Sequence, residues 1–293
     1  MLRRSYVLVF CVAFVVATAS AAQHAPESDG DTITVTGQRS GKQEIRDFVR
    51  QLTPVQYGTQ MSRFEHSVCP TVIGLPEAQA NAVAARIRLV AHSVGIAVAD
   101  GKCAPNIIVV ATSDKKEVLR EFAEHRSDYF DSGHQEREVE SQAGPAAAWG
   151  VGGPPMSARG VDLYIDPQVG FFMNRTTEGS SRITEPVRPQ FDAAVVVVEK
   201  KALVGMTTTQ LADYAAIRAL TGADPANLGN STVPTILRVL DVPVGGEAPV
   251  TMTNWDLAFL RGYYDANPVL RTGARRSAIT DSIDKDLHKR NGH

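Results

Sequence analysis

Phe191-Asp192-Ala193-Ala194-Val195-Val196-Val197-Val198-Glu199 is the run from which the architecture can be built outward. Consecutive β-branched residues favour an extended backbone. Side chains of a strand alternate between two faces, so an unbroken valine run is apolar on both and needs cover on both. That implies an α+β protein, a mixed sheet with peripheral helices. Downstream, Thr207 and Gln210 have the spacing of a capping box. Leu211, Tyr214, Ile217 and Leu220 supply the apolar stripe of the helix that follows, and Gly222 stops it. Val233–Leu240 reads as a short helix. Thr253 caps another, with Trp255, Leu257, Phe259, Leu260 and Tyr264 on a wide apolar face. Ile279, Ile283 and Leu287 mark a last helix, so the C-terminal third is helical.

Upstream the pattern is looser. Val161–Ile165 and Val169–Met173 read as strands. Residues 133–160 are broken by Gly144-Pro145, Gly150, Gly152-Gly153-Pro154-Pro155 and Gly160, with Trp149 as the expected anchor to the core. The expected layout is a lobe over 42–144, a Gly/Pro-rich connection at 145–160 and a second lobe over 161–293. Within the first lobe, Asn106–Thr112 is a buried-strand pattern. Ser113 or Asp114 can cap a helix facing inward through Val118, Leu119 and Phe122. Val83, Ile87, Val90 and Val94 define an amphipathic helix over 76–94, closed by Gly95. Arg63–Ile73 reads as a strand region, and Ile45, Phe48, Val49 and Leu52 as one stripe of a helix from Lys42, ended by Pro54.

Hydrophobic residues make up 43% of the 293, enough for a substantial core, and the formal net charge is −2. That balance does not point to a nucleic-acid surface. The first 21 residues have the form of a signal peptide. Arg3 and Arg4 are a positive start, Tyr6–Val16 is an apolar run of about eleven residues, and Ala19-Ser20-Ala21 is a small-x-small cleavage site. The run falls short of the ~20 apolar residues of a membrane span, so no span is expected after the leader leaves. The expected location is the periplasm or outside the cell. Residues 22–41 read as a flexible segment. Cys11 leaves with the leader, and Cys69 and Cys103 remain. Two thiols in an oxidising compartment are expected to pair, tying the strand before helix 76–94 to the turn after it. Two buried free thiols are the alternative.

Catalytic motifs are sparse. The chain contains no HExxH, GxSxG, GxGxxG or GxxxxGK[ST] pattern. His125 and His134 flank Asp128 and Asp131, an N/O donor set without a recurring metal spacing. Asp162, Asp166, Glu185 and Asp192 are carboxylates near the expected strands, whose relation is spatial rather than sequential. No cofactor and no catalytic residue is assigned.

Two resemblances add to this. Ile33-Thr34-Val35-Thr36-Gly37-Gln38-Arg39 resembles the ITVTG-type segment near the mature N-terminus of TonB-dependent outer-membrane receptors. There an extended segment pairs by strand addition with a periplasmic energy-transducing protein. The resemblance implies that Ile33, Thr34, Val35, Thr36 and Gly37 dock on a periplasmic envelope protein. The alternative is a strand paired within its own sheet. Second, Phe191–Glu199, Thr207–Leu220 and Trp255–Gly273 resemble a group of exported alphaproteobacterial proteins of unknown function. Asp256–Asp265 with Leu270 and Gly273 is similar to the ending of a wider family whose central helix is laid out like a zincin helix after a strand. The positions where ligands would sit here are Thr209, Gln210 and Asp213, none of them His or Glu, so the resemblance implies no metal chemistry in this chain.

The expected role is therefore a non-enzymatic binding or accessory protein outside the cytoplasm. The alternatives are a hydrolase-type envelope enzyme whose site no motif reveals, or a structural envelope component. Intact-mass measurement on exported material should find a chain that starts at Ala22. Full-length protein retained in the cytosol would contradict the leader.

Overall fold

The computed structural model describes residues 41–53, 60–174 and 179–290. The expected leader, the stretch 22–32 and the docking segment Ile33–Arg39 lie outside them. In chain order the elements are α1 (Lys42–Leu52), β1 (Pro70–Ile73), α2 (Glu77–Ser93), β2 (Ile107–Thr112), α3 (Lys115–His125) and α4 (Gly133–Ser141). They continue with β3 (Ala146–Gly152), β4 (Met156–Ser157), β5 (Val187–Arg188), β6 (Phe191–Glu199), α5 (Thr208–Thr221), α6 (Asn254–Asp265) and α7 (Thr272–Arg290). This is an α+β fold with a mixed sheet and a helical C-terminal region.

The valine run is β6, and it sits inside a four-stranded sheet of order β1-β2-β6-β3. β1 and β6 both run parallel to β2, and β3 runs antiparallel to β6. Alternation divides β6 between two cores. Ala194, Val196 and Val198 join a large cluster with Ile107, Val109, Val83, Ile87, Leu211 and Ile217. Val195 and Val197 point the other way, to Val110, Leu119, Val139 and Trp149. One face is covered by α2 and α5, with α1, α6 and α7 beyond; α3 and α4 cover the other. Phe48 of α1 meets Trp255 and Phe259 of α6 edge-on, with centroids 5.3 and 5.9 Å away. On the far face Trp149 stacks on Phe130 at 5.2 Å and donates its indole N–H to the Tyr129 carbonyl.

Caps set the helix boundaries much as their residues suggest. Asp114 accepts from the Lys116 and Glu117 amides, Thr207 and Gln210 close a capping box, and so do Thr253 and Asp256. Gly222 ends α5 in the left-handed region at φ 69°, where a side chain would cost energy.

Several expectations are corrected. The lobes 42–144 and 161–293 are not separate: β1 and β2 come from the first, β6 from the second, and all lie in one sheet. Residues Arg39–His293 group as one compact unit. The supposed connection at 145–160 lays down the edge strand β3. Its alanines and glycines have low strand propensity, but they fit a crowded site. A Cβ on Gly150 would lie 2.3 Å from the Phe191 ring. Residues 161–173 form no strand, only the bridges Met156–Asp162 and Ile165–Phe172. Val233–Leu240 reduces to a 3₁₀ turn over Ile236–Arg238, and α4 arises where no helix was expected.

Cys69 and Cys103 are bonded, with Cα atoms 6.1 Å apart, within the span a disulfide allows. The bond closes the β1–α2–β2 crossover at its base. The Asn106 amide donates to the Cys69 carbonyl, and Asn106 Oδ1 accepts from the Cys69 amide at 2.7 Å. Replacing both cysteines by alanine should destabilise the protein by about 3–4 kcal/mol, from the loop-closure entropy of a 34-residue separation. Thermal melts should show a midpoint lower by roughly 6–16 °C. An unchanged midpoint would mean that the crossover does not need the bond.

Candidate functional site

The helix after β6, α5, carries Thr209, Gln210 and Asp213. Thr209 is half-buried on its first turn. Gln210 is committed locally: its Oε1 accepts from the Thr207 amide at 2.9 Å and its Nε2 donates to the Pro249 carbonyl at 2.8 Å. Asp213 is fully buried. Its Oδ1 accepts from Arg86 Nε at 2.7 Å. Its Oδ2 accepts from Arg86 Nη2 at 3.1 Å, Thr251 Oγ1 at 2.6 Å and the Met252 amide at 2.8 Å. Four donors occupy the carboxylate's acceptor sites. Asp213 thus clamps α2 and the 249–252 loop onto α5. Among the described residues, no group of three or more His, Cys, Asp or Glu side chains is placed to hold a metal ion. Asp128 is paired with Arg126, and Asp131 accepts from the Gly152 amide at 2.7 Å.

That last bond belongs to a second device. β3 is an edge strand, and an unpaired edge is a template for an added strand. Its outward backbone groups at three alternate residues are taken by side chains. Gln142 bonds both the N–H and the C=O of Ala148, at 2.9 Å each. Gln135 Nε2 donates to the Gly150 carbonyl, and Asp131 accepts from Gly152. Arg218 of α5, buried, donates to Gln142 Oε1 at 2.9 Å and to the Tyr214 hydroxyl at 2.6 Å. The edge nearest α5 is closed from within.

Outward-facing chemistry is concentrated on the excursion between β4 and β5. Its base is pinned by a polar cluster. Gln190, 3% exposed, donates to Asp162 at 2.9 Å and to the Pro154 carbonyl at 2.7 Å. His66 Nε2 lies 3.2 Å from the same Asp162 oxygen. Glu65 bridges Arg63 and Arg188. His66 and Asp162 form an imidazole–carboxylate pair at the surface, an arrangement able to relay a proton. Beyond this base the chain makes a tight turn. Asp166 Oδ1 accepts from the Gln168 amide, and the Gly170 amide donates to the Asp166 carbonyl. The turn holds Tyr164, Ile165, Val169, Phe171 and Phe172 out to solvent, Phe171 with 74% exposure. Among the described residues, seven of the twelve exposed large apolar side chains lie between 161 and 183. A concentration of this kind marks an interaction surface more often than chance exposure.

In the sequence Asp162 and Asp166 are carboxylates near expected strands. No spacing along the chain brings His66 to Asp162, and the exposed apolar residues have the alternation of strand interiors. Alternation of apolar residues is the same signal in both cases. Glu185 pairs instead with Arg271, which fastens the returning chain to the loop before α7. Asp192 stands with Gln190 beside Gly153. No family model matches the chain, and no curated protein or solved structure matches it either.

The Asp213 clamp has a measurable signature. Arg86→Ala leaves a buried carboxylate short of two donors and should cost about 3–5 kcal/mol in denaturant unfolding. Arg86→Ala combined with Asp213→Leu removes the stranded charge and should recover part of that loss. If the double variant is the less stable of the two, the charge is not what Arg86 compensates.

Proposed function

We propose that the protein is an exported, non-enzymatic binding or accessory protein of the bacterial envelope. The observation that carries this reading is where the polar chemistry lies. Gln210 and Asp213 of α5 and the edge of β3 are satisfied by bonds within the fold. The large exposed side chains of the 161–173 excursion are apolar and suited to contact rather than catalysis. The disulfide, and described helices that are none of them long and apolar enough to cross a membrane, are compatible with a place outside the cytoplasm.

On this reading Ile33–Arg39 is the docking strand, pairing with an edge of a periplasmic energy-transducing protein through main-chain hydrogen bonds. The test uses the mature chain in a pull-down with that protein's periplasmic domain. Val35→Pro removes one ladder N–H and should abolish capture while leaving the melting temperature unchanged. A lowered melting temperature would mean that the segment pairs within its own sheet. Absence of capture by the unmutated chain would discard the docking strand. The hydrolytic alternative rests on the His66–Asp162 pair. It would displace the binding reading if an envelope polymer were turned over and His66→Ala stopped that turnover without loss of stability.

A further inference from the structure

On the side of the fold where α1 packs against α7, the chain opens a groove of about 320 Å³, lined by Lys42, Arg46, Arg50, Arg276, Thr280 and Asp281. The two helices run antiparallel. Lys42 at the start of α1 meets Asp281, and Arg276 reaches Thr53 just past the end of α1. Apolar residues hold them together: Ile45, Phe48, Val49 and Leu52 on one, and Ile279, Ile283 and Leu287 on the other, all buried. The next row outward on α1 is Lys42, Arg46 and Arg50, at i, i+4 and i+8, which puts the three cations in one line on one face. That line spans about 12 Å at 1.5 Å per residue.

The charges in this groove are not balanced within it. Asp281, the acid in its lining, is taken by Lys42 at 2.8 Å. Arg50 pairs with Asp47 on the outer side of its own helix. Arg46 is exposed and makes no ion pair among the described residues. Arg276 is half-buried and bonds neutral groups, the Thr53 hydroxyl at 2.8 Å and the Thr53 carbonyl. Burial, and then the neighbouring Arg50 charge, hold its guanidinium below its ordinary pKa. Like charges held close with an uncharged floor are unfavourable unless an anion joins them. A chain with a net charge of −2 has no general excess of cations to explain the cluster.

We propose that this groove binds a phosphate ester, with Arg46, Arg50 and Arg276 donating to its oxygens. Guanidinium forks match phosphate oxygens in geometry, and their charge-assisted bonds are stronger than neutral ones. The volume lies at the small end of ligand sites: it suits a phosphorylated small molecule or the headgroup of a phospholipid. Both present the same phosphate chemistry.

Two arms of one experiment separate these sources. Calorimetric titration with glycerol 3-phosphate tests the free ester. Co-sedimentation with phosphatidylglycerol vesicles, against phosphatidylcholine vesicles, tests the headgroup. Arg46→Glu with Arg50→Glu is the diagnostic variant, because both side chains are exposed and the helix core is untouched. Arg120→Glu on α3, across the sheet, controls for general electrostatics. Binding in either arm that the paired variant weakens by about tenfold or more, while Arg120→Glu leaves it unchanged, supports the site. Binding in the titration identifies a free ester, and binding confined to phosphatidylglycerol vesicles a lipid. The proposal is overturned if neither probe binds, if the paired variant binds as the unmutated protein does, or if Arg120→Glu weakens binding equally.

Discussion

β6 must be buried on both faces, and the architecture follows from that constraint. Val195, Val196, Val197 and Val198 have no exposed surface. Full burial of a valine is worth about 1.5–3 kcal/mol, an upper estimate because unfolded chains already bury part of it. A strand of this kind is stable only with neighbours on both sides and a helical layer above and below. β2 and β3 supply the neighbours; α2 and α5 form one layer, α3 and α4 the other. The parallel β1–α2–β2 crossover, closed by the disulfide, brings α2 onto the same face as α5. α6 then packs against α5, and α7 packs against α6 and α1.

Burying so much apolar surface around α5, α6 and α7 forces the polar residues of these helices to find partners inside. Asp213 takes Arg86, Thr251 and the Met252 amide. Asp256 accepts from Thr235, Ile236 and Thr253; burial pushes its carboxyl above the ordinary value even though those donors pull the other way. Arg275, with no exposed surface, donates to the Met61 and Tyr263 carbonyls and lies 4.7 Å over the Tyr263 ring. Such groups add little net stability over an apolar packing, but they penalise any arrangement in which they lose a partner. In this fold they fix how α2, α5, α6 and α7 sit against one another.

The outer surface carries what remains. Two regions have chemistry not fully matched by their own neighbours: the apolar turn at 164–172, held up on a polar base, and the groove along α1, where cations outnumber the acids that pair with them. They lie on different elements and differ in kind, one suited to contact with apolar side chains and the other to an anion. Neither depends on the interior polar network, so changes at either leave the buried clamps in place.

Most of the local elements are legible along the chain. Periodicity placed α1, α2, α5 and α6, since a stripe at helical spacing has one stable way to be buried. Thr207 with Gln210, and Thr253, announce their caps, and the third lies at Ser113 or Asp114, of which the fold uses Asp114, because the groups that satisfy helix ends come from within three residues. The strands β2 and β6 were legible from β-branched runs, and the disulfide from the count of cysteines. The rest comes from packing between distant segments. β3 is mostly alanine and glycine around Trp149 and Val151, and the extended state of those small residues comes from pairing with β6 and not from preference. The turn at 164–172 alternates like a buried strand, and nothing local says that no second layer covers it. Arg86 and Asp213 are 127 residues apart, and His66 and Asp162 are 96 apart. The row of Lys42, Arg46 and Arg50 becomes a groove only when Arg276 is brought alongside. Partnership between distant charged groups is set by how the layers stack, and no spacing along the chain encodes it.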